Sequence, residues 1–140
     1  MVKQVGVVQK DLLSLQRLSK FRDVVESAQP QDYRNMVVLK PWGYEYLIFE
    51  NEYVAVWFLH INHGHSTSMH CHPQKKTSLI LLSGNALCNT FERRNYLNAL
   101  DAIIVEKCVF HSTKAISDDG IDLIEIETPP DKTDFIRIND

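Results

Sequence analysis

Apolar and polar residues alternate along most of the chain after residue 36, and this two-residue period predicts β-strands. The apolar runs are short and rich in Val, Ile, Tyr and Phe, and turn residues such as Gly, Pro and Asn separate most of them. The predicted strands cover residues 37–39, 44–49, 53–61, 78–82, 86–91, 102–105, 121–126 and 135–138. Many strands at this spacing, without helices between them, predict an all-β sandwich or barrel.

The segment 8–29 has the period of a helix instead. Its apolar residues recur at steps of three and four: Leu12, Leu15, Leu18, Phe21 and Val25. Pro30 ends this segment, and we expect the helix to pack on the body of the domain, with a dimer-forming arm as the alternative. The chain is therefore divided into an N-terminal helical arm, 1–35, and a barrel domain, 36–140.

Composition and charge exclude several classes of protein. The chain has 140 residues, 44% of them apolar and 24% charged, which is typical of one globular domain. A formal net charge of −3 gives no basis for binding nucleic acid. No apolar run approaches the ~20 residues of a membrane span, and no signal peptide is recognised. Three irregularly spaced cysteines indicate reduced thiols and predict a cytoplasmic protein.

The histidines are concentrated in one part of the chain, since five of the six lie between His60 and His72. His70 and His72 are two residues apart, so on a strand both imidazoles face the same side. His111 lies in a later strand-like stretch that can meet the first across a barrel. Neutral imidazoles suit Zn, Fe, Ni or Cu. By spacing alone, however, a His-x-His pair on a strand is more often incidental than a metal site.

We expect the other three histidines to lie outside such a site. His63 and His65 flank Gly64 in a turn, where side chains share no fixed face, so they are interpreted as exposed loop residues. His60 ends an apolar run and is interpreted as a residue of the barrel wall.

The surroundings of the pair resemble the first motif of the cupin superfamily. That motif consists of a glycine, five residues, His-x-His, three or four residues, a glutamate, six residues and a glycine. Gly64, His70, His72 and Gly84 are in register with it, and Thr77 stands at the glutamate position. One of the four usual metal ligands of the superfamily is therefore replaced.

Of the second cupin motif, the histidine is present as His111. The proline, glycine and asparagine around that histidine are replaced here. The resemblance covers residues 36–138 and implies a single jelly-roll β-barrel, preceded by the N-terminal α-helix, with a cavity in its mouth. It implies that His70, His72 and His111 bind a divalent metal ion. Without the glutamate, Zn, Fe or Ni is favoured over Mg or Mn. Cupin domains also often pair, which implies a homodimer.

Segments at the two ends of this region resemble a narrower group. Residues 40–45 are similar to the opening segment of type II mannose-6-phosphate isomerase domains, and residues 123–127 and 134–140 are similar to their closing strands. Such cupins are commonly associated with nucleotide-activated and surface-polysaccharide sugars. The resemblance implies a sugar or sugar-phosphate ligand.

Lys75, Lys76 and Thr77 directly follow the histidines and are the candidate substrate-binding residues. Two ammonium groups beside the cavity can bind a substrate phosphate, and the alternative is a solvated turn. The catalytic base is not identified by the sequence. Four glutamates on or beside strands are candidates, with a solvated face as their expected environment: Glu45, Glu106, Glu125 and Glu127.

Three functions are compatible with these residues. The first is a metal-dependent isomerase or epimerase acting on a sugar phosphate or nucleotide-sugar, in which a metal ion polarises the carbonyl group and a base moves the proton. The second is a non-catalytic sugar-binding cupin, which the replacement at Thr77 favours. The third is a three-histidine Fe(II) dioxygenase, because such enzymes also lack the carboxylate ligand.

Overall fold

The computed structural model describes residues 1–19 and 31–138. The second half of the helical pattern, with Phe21, Val25 and Pro30, lies outside the described residues. The described elements are β1 (Val2–Val5), α1 (Gln9–Ser19), β2 (Val37–Lys40), β3 (Gly43–Glu50), β4 (Ala55–Ile61), β5 (His70–Cys71), β6 (Lys76–Ser83), β7 (Asn85–Thr90), β8 (Arg94–Asn98), β9 (Ala102–Val105), β10 (His111–Ala115), β11 (Ile121–Thr128) and β12 (Ile136–Arg137). Within these residues, no helix has the length and apolar character needed to cross a membrane.

The strands form two sheets in a jelly-roll-like sandwich, so the predicted all-β class and barrel type are confirmed. In the part of the chain that is described, one sheet has the order β1-β9-β6-β11-β4-β3-β2 and the other has the order β12-β5-β10-β7-β8. In the larger sheet, the pairs β6–β11, β11–β4 and β4–β3 are antiparallel. Antiparallel sheets commonly have one face on the core and one face toward solvent.

The core lies between the two sheets and follows the two-residue period of the strands. Along β4, Ala55, Trp57, Leu59 and Ile61 are buried, whereas the residues between them are partly exposed. Inward residues of both sheets complete one cluster, which also contains Leu79, Leu81, Ala86, Cys88, Leu97, Ile103, Val105, Val109, Ala115, Ile121 and Leu123. Burying each large apolar side chain contributes about 1.5–3 kcal/mol, so this cluster holds the sheets together.

The motif glycines stand where the chain turns. Gly64 and Gly84 both have positive φ angles, 76° and 88°, which side chains with a Cβ atom rarely adopt. A Cβ atom at Gly84 would also lie 2.6 Å from the carbonyl oxygen of Gly120. These turns set the ends of the segment that carries the histidine pair.

The N-terminal segment is packed against the barrel on two sides. Strand β1, which the hydrophobic pattern did not indicate, pairs in parallel with β9 at the edge of the larger sheet. The expected packing of the helix on the body of the domain is confirmed, because Leu15 and Leu18 of α1 contact a small core formed by Cys71, Phe110 and Ile136. The boundary at residue 36 stays a prediction.

Asp11 connects the start of α1 to the barrel. Its side chain is buried, and its two carboxylate oxygens accept hydrogen bonds from the backbone N–H groups of Val8 and Phe110, both at 2.9 Å. The bond to Val8 caps the first turn of the helix, where a negative charge is also favourable. The bond to Phe110 satisfies a buried amide next to His111, so the helix supports the strand that carries this histidine.

Replacing Asp11 by Ala should therefore destabilise the fold, because two backbone N–H groups would lose their acceptor. We expect a loss of about 2–4 kcal/mol in the free energy of unfolding, measured by urea titration. The exposed Asp119→Ala variant is the matched control and should stay within about 0.5 kcal/mol of the wild type. An Asp11→Ala variant as stable as this control would contradict the assigned role.

Candidate metal centre

The structure brings His70, His72 and His111 together. His111 begins β10 and pairs directly with His70 of β5, and His72 follows β5 one residue after its end. One ligand atom from each imidazole lies within 4.8 Å of the others, and the ring centroids are 4.5–5.4 Å apart. The convergence expected from the sequence is therefore found.

Hydrogen bonds orient the three rings. The Nδ1 atoms of His70, His72 and His111 each lie near a backbone carbonyl oxygen, those of Ser68 (2.6 Å), Asp134 (2.8 Å) and Val109 (3.0 Å) respectively. A carbonyl oxygen only accepts, so each Nδ1 carries the proton and each Nε2 keeps its lone pair. Among the described residues, the buried Nε2 of His72 has no hydrogen-bond partner. Three such lone pairs suit a metal cation, with the carbonyl groups as the outer shell that fixes each ring.

Burial keeps these imidazoles neutral. It lowers the pKa of His70 to about 3, and the charge that His111 would carry adds to the effect. Burial likewise lowers the pKa of His72, with His111 and His70 contributing. It also lowers the pKa of His111. Neutral imidazole is the form that coordinates a metal, so the site needs no deprotonation at neutral pH.

Thr77 does not replace the motif glutamate with another donor at the cluster. Its side chain is fully buried, and within the described chain its hydroxyl oxygen has no hydrogen-bond partner. Across the sheet it pairs with Glu127 of β11, so this carboxylate comes from the neighbouring strand. Glu127 is not part of the histidine cluster.

Glu127 belongs to a buried ion pair. Its Oε2 pairs with the ammonium group of Lys75, and its Oε1 accepts a hydrogen bond from the Trp57 indole at 3.3 Å. Lys75 also donates to the carbonyl oxygen of Asp131 at 2.9 Å. Burial raises the pKa of Glu127, although the Lys75 charge opposes this shift.

The two candidate lysines lie in different environments, although they are neighbours in the chain. Lys75 is 3% exposed and lines the cavity beside the histidines, whereas Lys76 is exposed and its ammonium lies 3.5 Å from Glu106. Successive residues of an extended segment face opposite sides, so the two ammonium groups lie on different sides of the segment. Neither Lys76 nor Thr77 lines the cavity.

The cavity above the histidines has a volume of about 290 Å³ and charged walls. His70, His72 and Lys75 lie on one side of it, and its other polar lining includes Lys40, Glu45, Ser68, Glu125, Lys132 and Arg137. Trp42 and Phe135 contribute apolar wall. The volume is near the lower end of small-molecule sites, which suits a ligand of monosaccharide size.

The expectation that the glutamates lie on solvated faces is wrong for Glu45 and Glu127, which are 3% and 2% exposed. Both occupy inward positions of their strands, and both are compensated by lysines. For Glu45 these are Lys132 at 3.0 Å and Lys40 at 3.7 Å.

Lys132 is a cavity residue that the sequence did not single out. Its ammonium group lies 3.8 Å from the centroid of the Trp57 ring, in a cation–π contact. Burial opposes its charge, but Glu125, Glu45 and Glu127 outweigh burial and raise the pKa of Lys132. The sequence around Lys132 does not indicate a cavity residue, because its position there depends on how its loop folds over the barrel. Arg137 is exposed and lines the cavity as well.

The remaining histidines lie outside the cluster, as expected. His63 and His65 are exposed, and their rings contact backbone carbonyl oxygens of Ser117 and His63. His60 lies 2.6 Å from Asp122.

No protein-family model matches the chain, and no curated protein matches it in sequence. Solved structures do match it. An RmlC-like cupin from Shewanella frigidimarina superposes with a TM-score of 0.63 at 16% identity, over 76% of this chain and 95% of that one. KdgF from a Halomonas species superposes with a TM-score of 0.62 at 14% identity, over 72% and 90%.

A sugar phosphate isomerase from a cupin superfamily, from Silicibacter pomeroyi, superposes with a TM-score of 0.52 at 11% identity, over 56% of this chain and 52% of that one. At such identities a match establishes architecture. Together with the two sheets and the cavity at their mouth, these matches show that the chain has the fold of the cupin superfamily.

Proposed function

We propose that His70, His72 and His111 bind a divalent metal ion and that the site isomerises or epimerises a sugar phosphate or nucleotide-sugar. The observation that carries this proposal is the set of three neutral imidazoles, oriented by carbonyl groups, with their Nε2 lone pairs free for a metal. Imidazole donors without a carboxylate favour Zn, Fe or Ni. When bound, such an ion supplies Lewis-acid polarisation of a carbonyl oxygen.

The charged walls support an anionic sugar derivative as the ligand. Four cationic side chains line the cavity, Lys40, Lys75, Lys132 and Arg137, against the carboxylates of Glu45 and Glu125. Cationic groups in a partly enclosed cavity attract phosphate and orient it. The name of the Silicibacter pomeroyi protein, a sugar phosphate isomerase, is compatible with this class.

Aromatic side chains add a surface for the sugar ring. Trp42 and Phe135 line the same cavity, and the apolar face of a pyranose can pack on such rings while its hydroxyl groups bind polar residues. The charged lining is less suited to the apolar substrates expected for the Fe(II) dioxygenase alternative. The homodimer and the cytoplasmic location stay predictions.

We expect one metal ion per chain after loading with Zn²⁺, Fe²⁺ or Ni²⁺, measured by elemental analysis and calorimetry. His72→Ala should weaken binding by about 100-fold or more, because it removes one of three ligands. His63→Ala is the matched control, since this exposed histidine lies outside the cluster, and it should bind metal as the wild type does. Equal affinities in the two variants would contradict the metal site.

The chelator-treated protein should lose stability as the pH falls below about 6.5. Unfolded histidines take up protons near pH 6.5, whereas the buried His70 stays neutral down to about pH 3, so the unfolded chain binds more protons between these values. The free energy of unfolding therefore decreases with acidification, by at most about 1.4 kcal/mol per pH unit for each such histidine. Urea titrations at several pH values should show a shallower dependence for His70→Gln than for His63→Gln.

Turnover is tested with a panel of hexose and heptose phosphates and metal-loaded protein. We expect the wild type to convert at least one compound and His72→Ala to convert none. Saturable binding without conversion, retained in His70→Ala, would instead identify a non-catalytic sugar-binding protein. Oxygen consumption by the iron-loaded protein would favour the dioxygenase.

A further inference from the structure

Among the described residues, Glu45 and Glu127 face the interior of the barrel and are already paired with lysines. Glu45 contacts the ammonium groups of Lys40 and Lys132. Glu127 is held by Lys75 and by the indole of Trp57. Each of these carboxylates is therefore committed to a lysine partner. These two groups therefore keep Lys75 and Lys132, which line the cavity, in position.

Glu125 is different from both. It occupies an inward position of β11, opposite Trp57 of β4 and Leu79 of β6, and it lines the cavity together with His70 and His72. Among the described residues, no hydrogen bond or ion pair involves its carboxylate. Its charge interacts electrostatically with His111 and Lys132, which places it near the histidine cluster.

The remaining groups are excluded by position. Glu106 lies outside the cavity and contacts Lys76 and Gln4. Thr77, where the cupin motif has glutamate, offers a fully buried hydroxyl group in place of a carboxylate. The three imidazoles have their Nδ1 protons bound to carbonyl groups and their Nε2 atoms committed to the proposed metal.

We propose that Glu125 is the catalytic base of this site, which removes a proton from the substrate and returns it. The inference rests on the proposed isomerase function. The carboxylate takes the proton from the carbon next to the sugar carbonyl, and the electron pair of the broken C–H bond forms a carbon–carbon double bond. The carbonyl electrons move to the oxygen, giving an enediolate. Return of the proton from Glu125 to the former carbonyl carbon gives the isomer. The hydroxyl group on the first carbon becomes the new carbonyl and its proton passes to the enediolate oxygen, so no oxidant or reductant is consumed.

The structural context suits this role. A base must reach the substrate carbon, and Glu125 lines the cavity while, among the described residues, no hydrogen bond or ion pair holds its carboxylate. Lys132 and Arg137, on the same cavity wall, supply positive charge for the anionic group of the substrate.

The test compares Glu125→Gln with the wild type in metal-loaded form, incubated in deuterated water with the same panel of hexose and heptose phosphates. Incorporation of deuterium at the carbon next to the carbonyl is followed by mass spectrometry. Glu125→Gln should lower the exchange rate by about 100-fold or more, mainly in kcat, because a neutral amide does not accept the proton. Glu125→Asp should keep a measurable part of the rate. Glu52→Gln, an exposed position, is the matched control and should exchange at the wild-type rate.

Two measurements without turnover separate this role from others. Calorimetry with Zn²⁺ and thermal unfolding should give the same affinity and Tm for Glu125→Gln and the wild type. A large loss of Zn²⁺ affinity would make Glu125 a metal ligand, and a large loss of Tm would make it structural; either result overturns the proposal. Wild-type exchange that persists in Glu125→Gln overturns the assignment of the base alone. No exchange by the wild type with any compound overturns the isomerase function and this inference with it.

Discussion

The buried ion pair between Lys75 and Glu127 connects the core of the barrel to the histidine cluster. Bringing two charges out of water costs several kcal/mol per ion, and this cost is offset only when the remaining donors and acceptors are satisfied. Here the indole of Trp57, a core residue, donates to Glu127, and the carbonyl oxygen of Asp131 accepts from Lys75. The pair therefore joins β11 to the segment before β6 and to the loop that carries Lys132. Breaking it would disturb the core and the cavity together.

The buried ion pair gives a physical reason for the replacement of the motif glutamate by Thr77. Thr77 lies directly across from Glu127, so a carboxylate at position 77 would add a second buried negative charge next to the first. With a hydroxyl group at this position, Glu127 is the carboxylate partner of Lys75, and among the described residues the histidine cluster contains no carboxylate. The buried carboxylates of Glu45 and Glu127 are paired with lysines, and the three histidines of the cluster are neutral.

Much of the fold could be predicted because strand formation is a local property. The pattern of apolar runs located most strands, and the two-residue period predicted that His70 of β5 and His72, which follows it, face the same side. The same period could have predicted that Lys75 and Lys76 face opposite sides, because neighbouring residues of an extended segment do so. The edge strand β1 was missed because its short sequence has no strong pattern and its partner is distant in the chain.

The amino-acid sequence by itself determined the all-β class, the histidine pair and the turn glycines around it, since these depend on residues close in the chain. Tertiary structure alone decided that His111 pairs with His70, that Glu45 and Glu127 are buried against lysines, and that Lys132 and Glu125 face one cavity. The physical reason is that register between strands, and the charge environment it creates, depend on packing between segments far apart in the chain. A carboxylate on a strand looks the same in sequence whether it faces water, a lysine or a substrate.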